Sequence, residues 1–211
     1  MNGLQKHILR ITLLLLVFAV VATALVAFIN QQTREQIEEN EKQALLSTFN
    51  ALIPTDRYDN DILSDTLLLP PTEALGNTEE TPVYRARLKG DPSAVILTVT
   101  APNGYSGGIK MLIGIYADGT IAGVRVINHK ETPGLGDKIE EKRDNWIYQF
   151  EGLSLENPSP AKWKVKKDGG DFDQFTGATI TPRAVVGAIK RSLEYFSQHA
   201  DTLFSEQEEQ S

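Results

Sequence analysis

The residues best suited to chemistry lie in one short segment. Asp173-Gln174-Phe175-Thr176-Gly177-Ala178-Thr179-Ile180-Thr181-Pro182 places the hydroxyls of Thr176, Thr179 and Thr181 beside small residues, just ahead of an amphipathic run. Thr181 is a good N-cap and Pro182 a good first helical residue. Residues 176–179 are then a small-residue loop running into a helix N-terminus. Such a terminus offers N–H groups without intrahelical partners and a partial positive charge, and both suit a phosphate. Gly177 and Ala178 let another molecule approach the main chain closely. The residues alone leave two readings open, a phosphate site or simply a capped helix start.

Two further segments are rich in glycine. Glu131-Thr132-Pro133-Gly134-Leu135-Gly136 permits tight turns and brings main-chain amides near a ligand, or else merely connects a strand to a helix. Asn103-Gly104-Tyr105-Ser106-Gly107-Gly108 is a second flexible loop. His129 lies beside the first of these and reads as structural rather than as a proton carrier.

Composition removes several chemistries. The 211 residues include no cysteine, so there are no disulfides, thiolate metal ligands, iron–sulfur ligands or thiol nucleophiles. The three histidines, His7, His129 and His199, are scattered, and no His/Asp/Glu cluster has metal-ligand spacing, so no protein-ligated metal is expected. A net charge of -7 without a basic stripe argues against nucleic acid. No nucleophile–base pair or carboxylate dyad is evident, and no catalytic residue is assigned.

The elements that must position these segments follow from periodicity. Residues 11–29 read ITLLLLVFAVVATALVAFI without a charge, close to the roughly 20 residues that cross a bilayer as a helix. A signal peptide is the rival, but the apolar run continues past the small-residue site Ala22-Thr23-Ala24. Lys6 and Arg10 precede the span, and Arg34 and then Glu35, Glu38, Glu39 and Glu41 follow it. The positive-inside rule then puts residues 1–10 in the cytoplasm and the large domain outside, the bacterial periplasm. Residues 30–82 read as a helical arm (33–52) and a loop-rich linker (54–82). The domain proper is expected at 83–204, with a polar tail at 205–211. Strands are predicted at 83–88, 94–100, 109–117 and 120–128, with a hairpin turn at Asp118-Gly119. Asp137-x-x-Glu140 resembles a capping box and predicts a helix to about Phe150, with Ile139, Trp146, Ile147 and Phe150 as its buried stripe. Trp163 and Val165 alternate with lysines as an edge strand would. A last helix is predicted at 182–204, where Val185, Val186, Ile189, Leu193 and Phe196 recur at helical spacing. The fold class is α+β, an antiparallel sheet packed with helices and preceded by one transmembrane helix.

Thr176-Gly177-Ala178-Thr179, preceded by Asp173, resembles the flavinylation motif of the FMN-binding domain family. The resemblance implies that a flavin transferase, with FAD as donor, attaches FMN through its phosphate to Thr179. It implies that Thr176, Gly177 and Ala178 form the recognition loop, that Asp173 is the upstream acidic residue, and that Thr181 belongs to the site. The segment Glu131, Thr132, Pro133, Gly134, Leu135, Gly136 is similar to the loop that lines the isoalloxazine ring. Tyr105 and Ser106 fall in a segment similar to the family's GYxG loop, where Tyr105 either packs on the flavin or fills the core. With anchor and arm included, nearly the whole chain resembles the G component of the Rnf (Rsx) ion-translocating electron transport complex. The C component of the sodium-pumping NADH:quinone reductase is a close relative whose chain is usually longer. The resemblance implies a single-pass inner-membrane flavoprotein relaying electrons between neighbouring subunits, without turnover of its own. A C-type component of a sodium-pumping NADH:quinone reductase and a non-redox, membrane-anchored assembly or binding protein are the alternatives.

Overall fold

A computed structural model describes residues 3–205. All but Ser205 of the expected polar tail lies outside the described residues. The chain divides into two compact units, residues 1–47 and residues from 48 onward.

The first unit is helical. Helix α1 runs Gly3–Leu52, so the anchor and the arm expected from sequence are one element. Its apolar stretch has a mean hydropathy of 2.9, and none of it is buried by protein. Phe18, Val26 and Phe28 are all more than half exposed. A helix that is apolar all round, rather than along one stripe, matches a lipid surrounding. Beyond it the surface turns polar, and Gln43 donates to Glu39 one turn earlier at 2.8 Å.

The second unit is built on a five-stranded antiparallel meander in sequential order. Its strands are β1 (Thr66–Leu69), β2 (Thr81–Leu88), β3 (Asp91–Ala101), β4 (Ile109–Tyr116) and β5 (Ile121–Asn128). β1 falls inside the stretch read as loop-rich. It is short, and its pairing with β2 is what makes it a strand. The β4–β5 turn forms at Asp118-Gly119 as predicted, with Gly119 at φ 82° and the Asp118 carboxylate accepting from the Thr120 N–H.

Both faces of the sheet are covered. On one face Tyr84, Ile96, Gly114 and Gly123 form a row of cross-strand partners. The last turn of α1 rests on it. The Phe49 ring lies 4.6 Å from Tyr84, and a Cβ on Gly123 would come within 3.2 Å of Leu52. The other face presents Val95, Leu97, Val99, Met111, Ile113 and Ile115 to helix α2 (Ile180–Phe204). Val185, Val186, Ile189, Leu193 and Phe196 of α2 are buried there, each contributing about 1.5–3 kcal/mol by leaving water. Arg87 donates to the Phe204 carbonyl at 2.9 Å and Arg85 to that of Ser205, which places cations at the helix C-terminus. Asp65 binds both guanidiniums, at 2.5 and 2.8 Å.

Two expectations are corrected between β5 and α2. Residues 137–150 form no α-helix but two 3₁₀ helices, Gly136–Ile139 and Asn145–Phe150. The chain turns at residues 141–143, and Asp144 caps the second piece by accepting from the Trp146 N–H at 2.9 Å. The expected apolar stripe of Ile139, Trp146, Ile147 and Phe150 is buried all the same. Trp163 and Val165 are not in an edge strand. They flank 3₁₀ turns at Pro160–Lys162 and Lys166–Asp168, and only an isolated bridge joins Val165 to Phe172. Burial alternates because Trp163 and Val165 point into an aromatic cluster while the lysines point to water.

Candidate functional site

Three loops meet at the start of α2. One joins β3 to β4 and carries Gly104, Tyr105 and Ser106. One leaves β5 and carries residues 131–136. The third runs from Asp173 into the helix. Together they enclose a cavity of about 350 Å³. Its walls are Tyr105, Glu131, Thr132, Leu135, Gly136, Gly177, Ala178, Thr179, Ile180 and Thr181. The size falls at the lower end of small-molecule sites.

The third loop owes its shape to a turn. Ala178 donates to the Phe175 carbonyl at 3.1 Å, and Gly177 sits at φ 80°, a conformation that strains any residue with a Cβ. Phe175 is buried edge-on to Trp146, with ring centroids 5.1 Å apart. The Trp146 indole N–H donates to the Asp173 carbonyl at 2.8 Å, so the loop is held at both ends. The Asp173 side chain points outward and pairs with Lys166 at 2.7 Å.

Helix α2 starts at Ile180, ahead of the start at Pro182 that the sequence predicts. Its N-cap is Thr179, not Thr181, and the Thr179 carbonyl accepts from the Arg183 N–H at 3.3 Å. The Thr179 side chain makes no capping hydrogen bond. Thr181 lies in the first turn, fully buried, and its hydroxyl donates to the Glu131 carboxylate. Pro182 therefore becomes the third helical residue, where a missing N–H costs nothing because that position has no intrahelical partner. The first turn holds no acidic residue to offset the helix dipole.

Glu131 is 5 % exposed. Besides Thr181 it accepts the Ser106 N–H at 2.9 Å, so it bonds to both of the other loops. His129 fixes its main chain: Nδ1 accepts the Glu131 N–H at 3.0 Å and Nε2 faces Glu140 Oε1 at 2.6 Å. That pattern puts the ring proton on Nε2 and gives His129 a structural task.

Most of the residues singled out in the sequence converge on this cavity. Tyr105, Glu131, Thr132, Leu135, Gly136, Gly177, Ala178, Thr179 and Thr181 line it. Tyr105 is 68 % exposed at its mouth and does not fill the core. Ser106 contributes its main-chain N–H rather than a wall. Pro133, Gly134 and Thr176 are exposed and outside the walls. Sequence reasoning missed Ile180, an apolar wall residue 45 % exposed, and the supporting Trp146. Ile180 sits between two threonines as an apolar residue at a predicted loop end, and that was its only signal.

Arg183, next along α2, makes a two-pronged pair with Asp168, at 2.6 and 2.9 Å. Those hydrogen bonds hold the Asp168 carboxyl below its ordinary range and raise the guanidinium. Both groups are at the surface, so the pair braces the 166–168 turn only weakly.

The site's chemistry can be tested for fit to a phosphorylated aromatic ligand. The Thr179 hydroxyl, without a capping hydrogen bond, stands at a helix N-terminus, where an anion is favoured. Leu135, Ile180 and Tyr105 give an apolar rim suited to a planar ring. The residues present fit such a group.

Residues 104–194 match the family model described as FMN-binding domain, and residues 1–52 match the one described as RnfG N-terminal region. The G component of the ion-translocating oxidoreductase complex from Shewanella oneidensis is 46% identical, covering 92% of both chains. Its counterpart from Vibrio atlanticus is 46% identical over 98% of this chain and 96% of its own. Among solved structures, the C component of the Na(+)-translocating NADH-quinone reductase from Parabacteroides distasonis is 23% identical. It covers 68% of this chain and 79% of that one, with a TM-score of 0.44.

Proposed function

The chain belongs to the family of G components of the ion-translocating oxidoreductase complex, and from that premise we propose that it relays electrons through an FMN held covalently on Thr179. Identity of 46% over nearly the whole chain favours this family over the C component of the sodium-pumping reductase. The observation that carries the attachment site is the sorting of the three threonine hydroxyls. Thr181 is buried against Glu131, and Thr176 is exposed beyond the walls. Thr179 stands in the cavity wall at the helix N-terminus without a capping bond.

In maturation, the Thr179 hydroxyl displaces AMP from FAD in the active site of a flavin transferase. The Oγ–P bond forms, the pyrophosphate P–O bond breaks, AMP departs, and the hydroxyl proton passes to a base of the transferase. The new phosphodiester carries a negative charge, which the amides of Ile180 and Thr181 and the positive end of α2 stabilise. Gly177 holds the turn that presents Thr179, and Asp173 marks the loop for the transferase. Bound FMN supplies one- and two-electron transfer. Glu131, Thr132, Leu135 and Gly136 would help hold it, and Tyr105 with Ile180 would limit its contact with water. Pro133 and Gly134 shape the loop outside the walls. A covalent tether keeps the cofactor in a compartment where free FMN is scarce.

The surrounding layout is part of the same reading. Residues 11–29 span the inner membrane, 1–10 are cytoplasmic, 30–82 form the arm and linker, and 83–204 carry the flavin in the periplasm. Donor and acceptor are other membrane subunits of the complex. The full chain, co-expressed with a flavin transferase and run in SDS, is expected to give a fluorescent band that Thr179→Ala abolishes. Protease added to spheroplasts is expected to remove that band. No fluorescence in the wild type, or fluorescence in the alanine variant, overturns attachment; protection from protease overturns the orientation. A non-redox assembly protein would show no fluorescence in either lane.

A further inference from the structure

A buried carboxylate is retained only where hydrogen bonds replace water. Glu131 meets that condition by joining three loops. Its Oε1 accepts the Ser106 N–H at 2.9 Å, and its Oε2 accepts the Thr181 hydroxyl. Its main-chain N–H is given to His129 at 3.0 Å. Gly136 makes room for the carboxylate, since a Cβ there would lie 2.8 Å from Oε2. Gly104 also packs close to it: a Cβ there would run into the Gly107 carbonyl and lie 2.9 Å from Oε1. The carboxylate is thus closely fitted by segments far apart in sequence.

Neither of the two glycine-rich loops has a strand or an α-helix of its own to hold it. Without Glu131 the Ser106 loop would keep only its ends on β3 and β4. The 131–136 loop would lose its tie to the first turn of α2. The cavity walls are these loops, so their order decides whether the cavity exists before any cofactor arrives.

We propose that Glu131 is a positioning residue for flavin attachment, a latch that keeps the cradle formed in the apoprotein. This builds on the reading that FMN is attached at Thr179. The latch is geometric, not a matter of charge. A glutamine can accept from the Ser106 N–H through its carbonyl and donate to the Thr181 oxygen through its amide. An alanine can do neither. Preformed walls spare the ordering of two loops when the transferase or the flavin engages.

The test uses the full chain with an FAD-dependent flavin transferase, and compares wild type, Glu131→Ala, Glu131→Gln and Thr181→Val. Labelling is followed by in-gel flavin fluorescence, and the apoprotein by amide hydrogen exchange. Glu131→Ala is expected to label about tenfold more slowly or worse, and Thr181→Val severalfold more slowly. In both, amides of residues 103–108 and 131–136 exchange faster in the apoprotein, while those of β3 and β4 stay protected. Glu131→Gln labels within about twofold of wild type. Wild-type labelling and exchange in Glu131→Ala overturn the latch, and so does Glu131→Gln behaving like the alanine variant. Should Glu131→Ala lose protection across the sheet, Thr181→Val decides, and wild-type behaviour there overturns the latch. Failure of the underlying reading looks different: the wild type itself stays unlabelled, or Thr179→Ala is labelled.

Discussion

The sheet and the 129–179 segment are ordered by different means. β2 to β5 are joined residue by residue, with partners running from Ala94↔Tyr116 to Ala101↔Ile109 along one strand pair alone. The 129–179 segment has no such ladder. It is held by packed rings, with Phe150, Trp163 and Phe172 stacked or tilted at centroid distances of 5.0 to 6.3 Å. Single side chains then close the loops, as Trp146 does on Asp173 and Glu131 on Ser106 and Thr181. A ladder spreads its stability over many bonds, whereas a ring cluster concentrates it in a few residues. The chemistry sits in the second kind of structure. Loops can bring three distant segments to one point, which a meander of hairpins cannot do.

The largest expected effect follows directly. Trp163 is 2 % exposed and touches both Phe150 and Phe172. Trp163→Ala should cost about 3–5 kcal/mol, read from chemical denaturation of the full chain in detergent. The loss should also be local. Amide exchange should quicken across 145–178 while β3 and β4 keep their protection. A uniform loss of protection would break the contrast between the two regions.

The sheet, too, concentrates charge at Asp65, and that sharpens the comparison. Asp65 binds Arg85 and Arg87, whose side chains are only 7% and 14% exposed. Asp65→Ala leaves two largely buried cations without a carboxylate, Arg87 keeping its bond to the Phe204 carbonyl and Arg85 its bonds to the Ser205 and Thr66 carbonyls. The cost should be about 2–3 kcal/mol, at or below the lower range for a broken buried pair because Asp65 is itself partly exposed. Fraying should appear at residues 200–205, and flavin loading should stay within about twofold of wild type. A large fall in loading would mean that the two ends of α2 are not independent.

The same division explains what the sequence revealed. Strands β2 to β5 were legible as short apolar, β-branched runs bounded by turns, with β3 and β4 buried on both faces, α2 was legible from its helical period, and the β4–β5 hairpin because Asp118-Gly119 fits its turn. The site was legible as separate segments, through small residues and glycines, and most of those segments do line one cavity. Their junction was not legible. That Glu131 bonds Thr181 is a contact across 50 positions, and no local pattern encodes it. The same contact accounts for the helix start: Thr181 has the residue type of a cap, but its hydroxyl is engaged elsewhere. Residues 137–150 failed for a related reason. Their apolar spacing suits an α-helix, but Asp144 breaks it by capping a second, tighter turn. The buried residues came out right and the backbone wrong, because burial there is dictated by the aromatic cluster and not by helical hydrogen bonds.

The smallest effect belongs to the outside of that cluster. Arg183 and Asp168 form the best-shaped ion pair near the site, yet both are at the surface. The Arg183 hydrogen bond holds the Asp168 pKa below its ordinary value, and nearby Lys167 and Lys164 act in the same direction. A carboxyl with a lowered folded-state pKa adds stability above its unfolded value of about 3.9. That contribution fades as pH falls from there through the folded-state value. In water and at physiological salt, screening leaves little of it. Asp168→Asn should therefore leave Tm at neutral pH unresolved from wild type. Any small gap should close as both are titrated through the acid range. A drop of several degrees at neutral pH would place a clamp on the exterior of the 129–179 segment, and its order could no longer be ascribed to the rings and to single buried side chains.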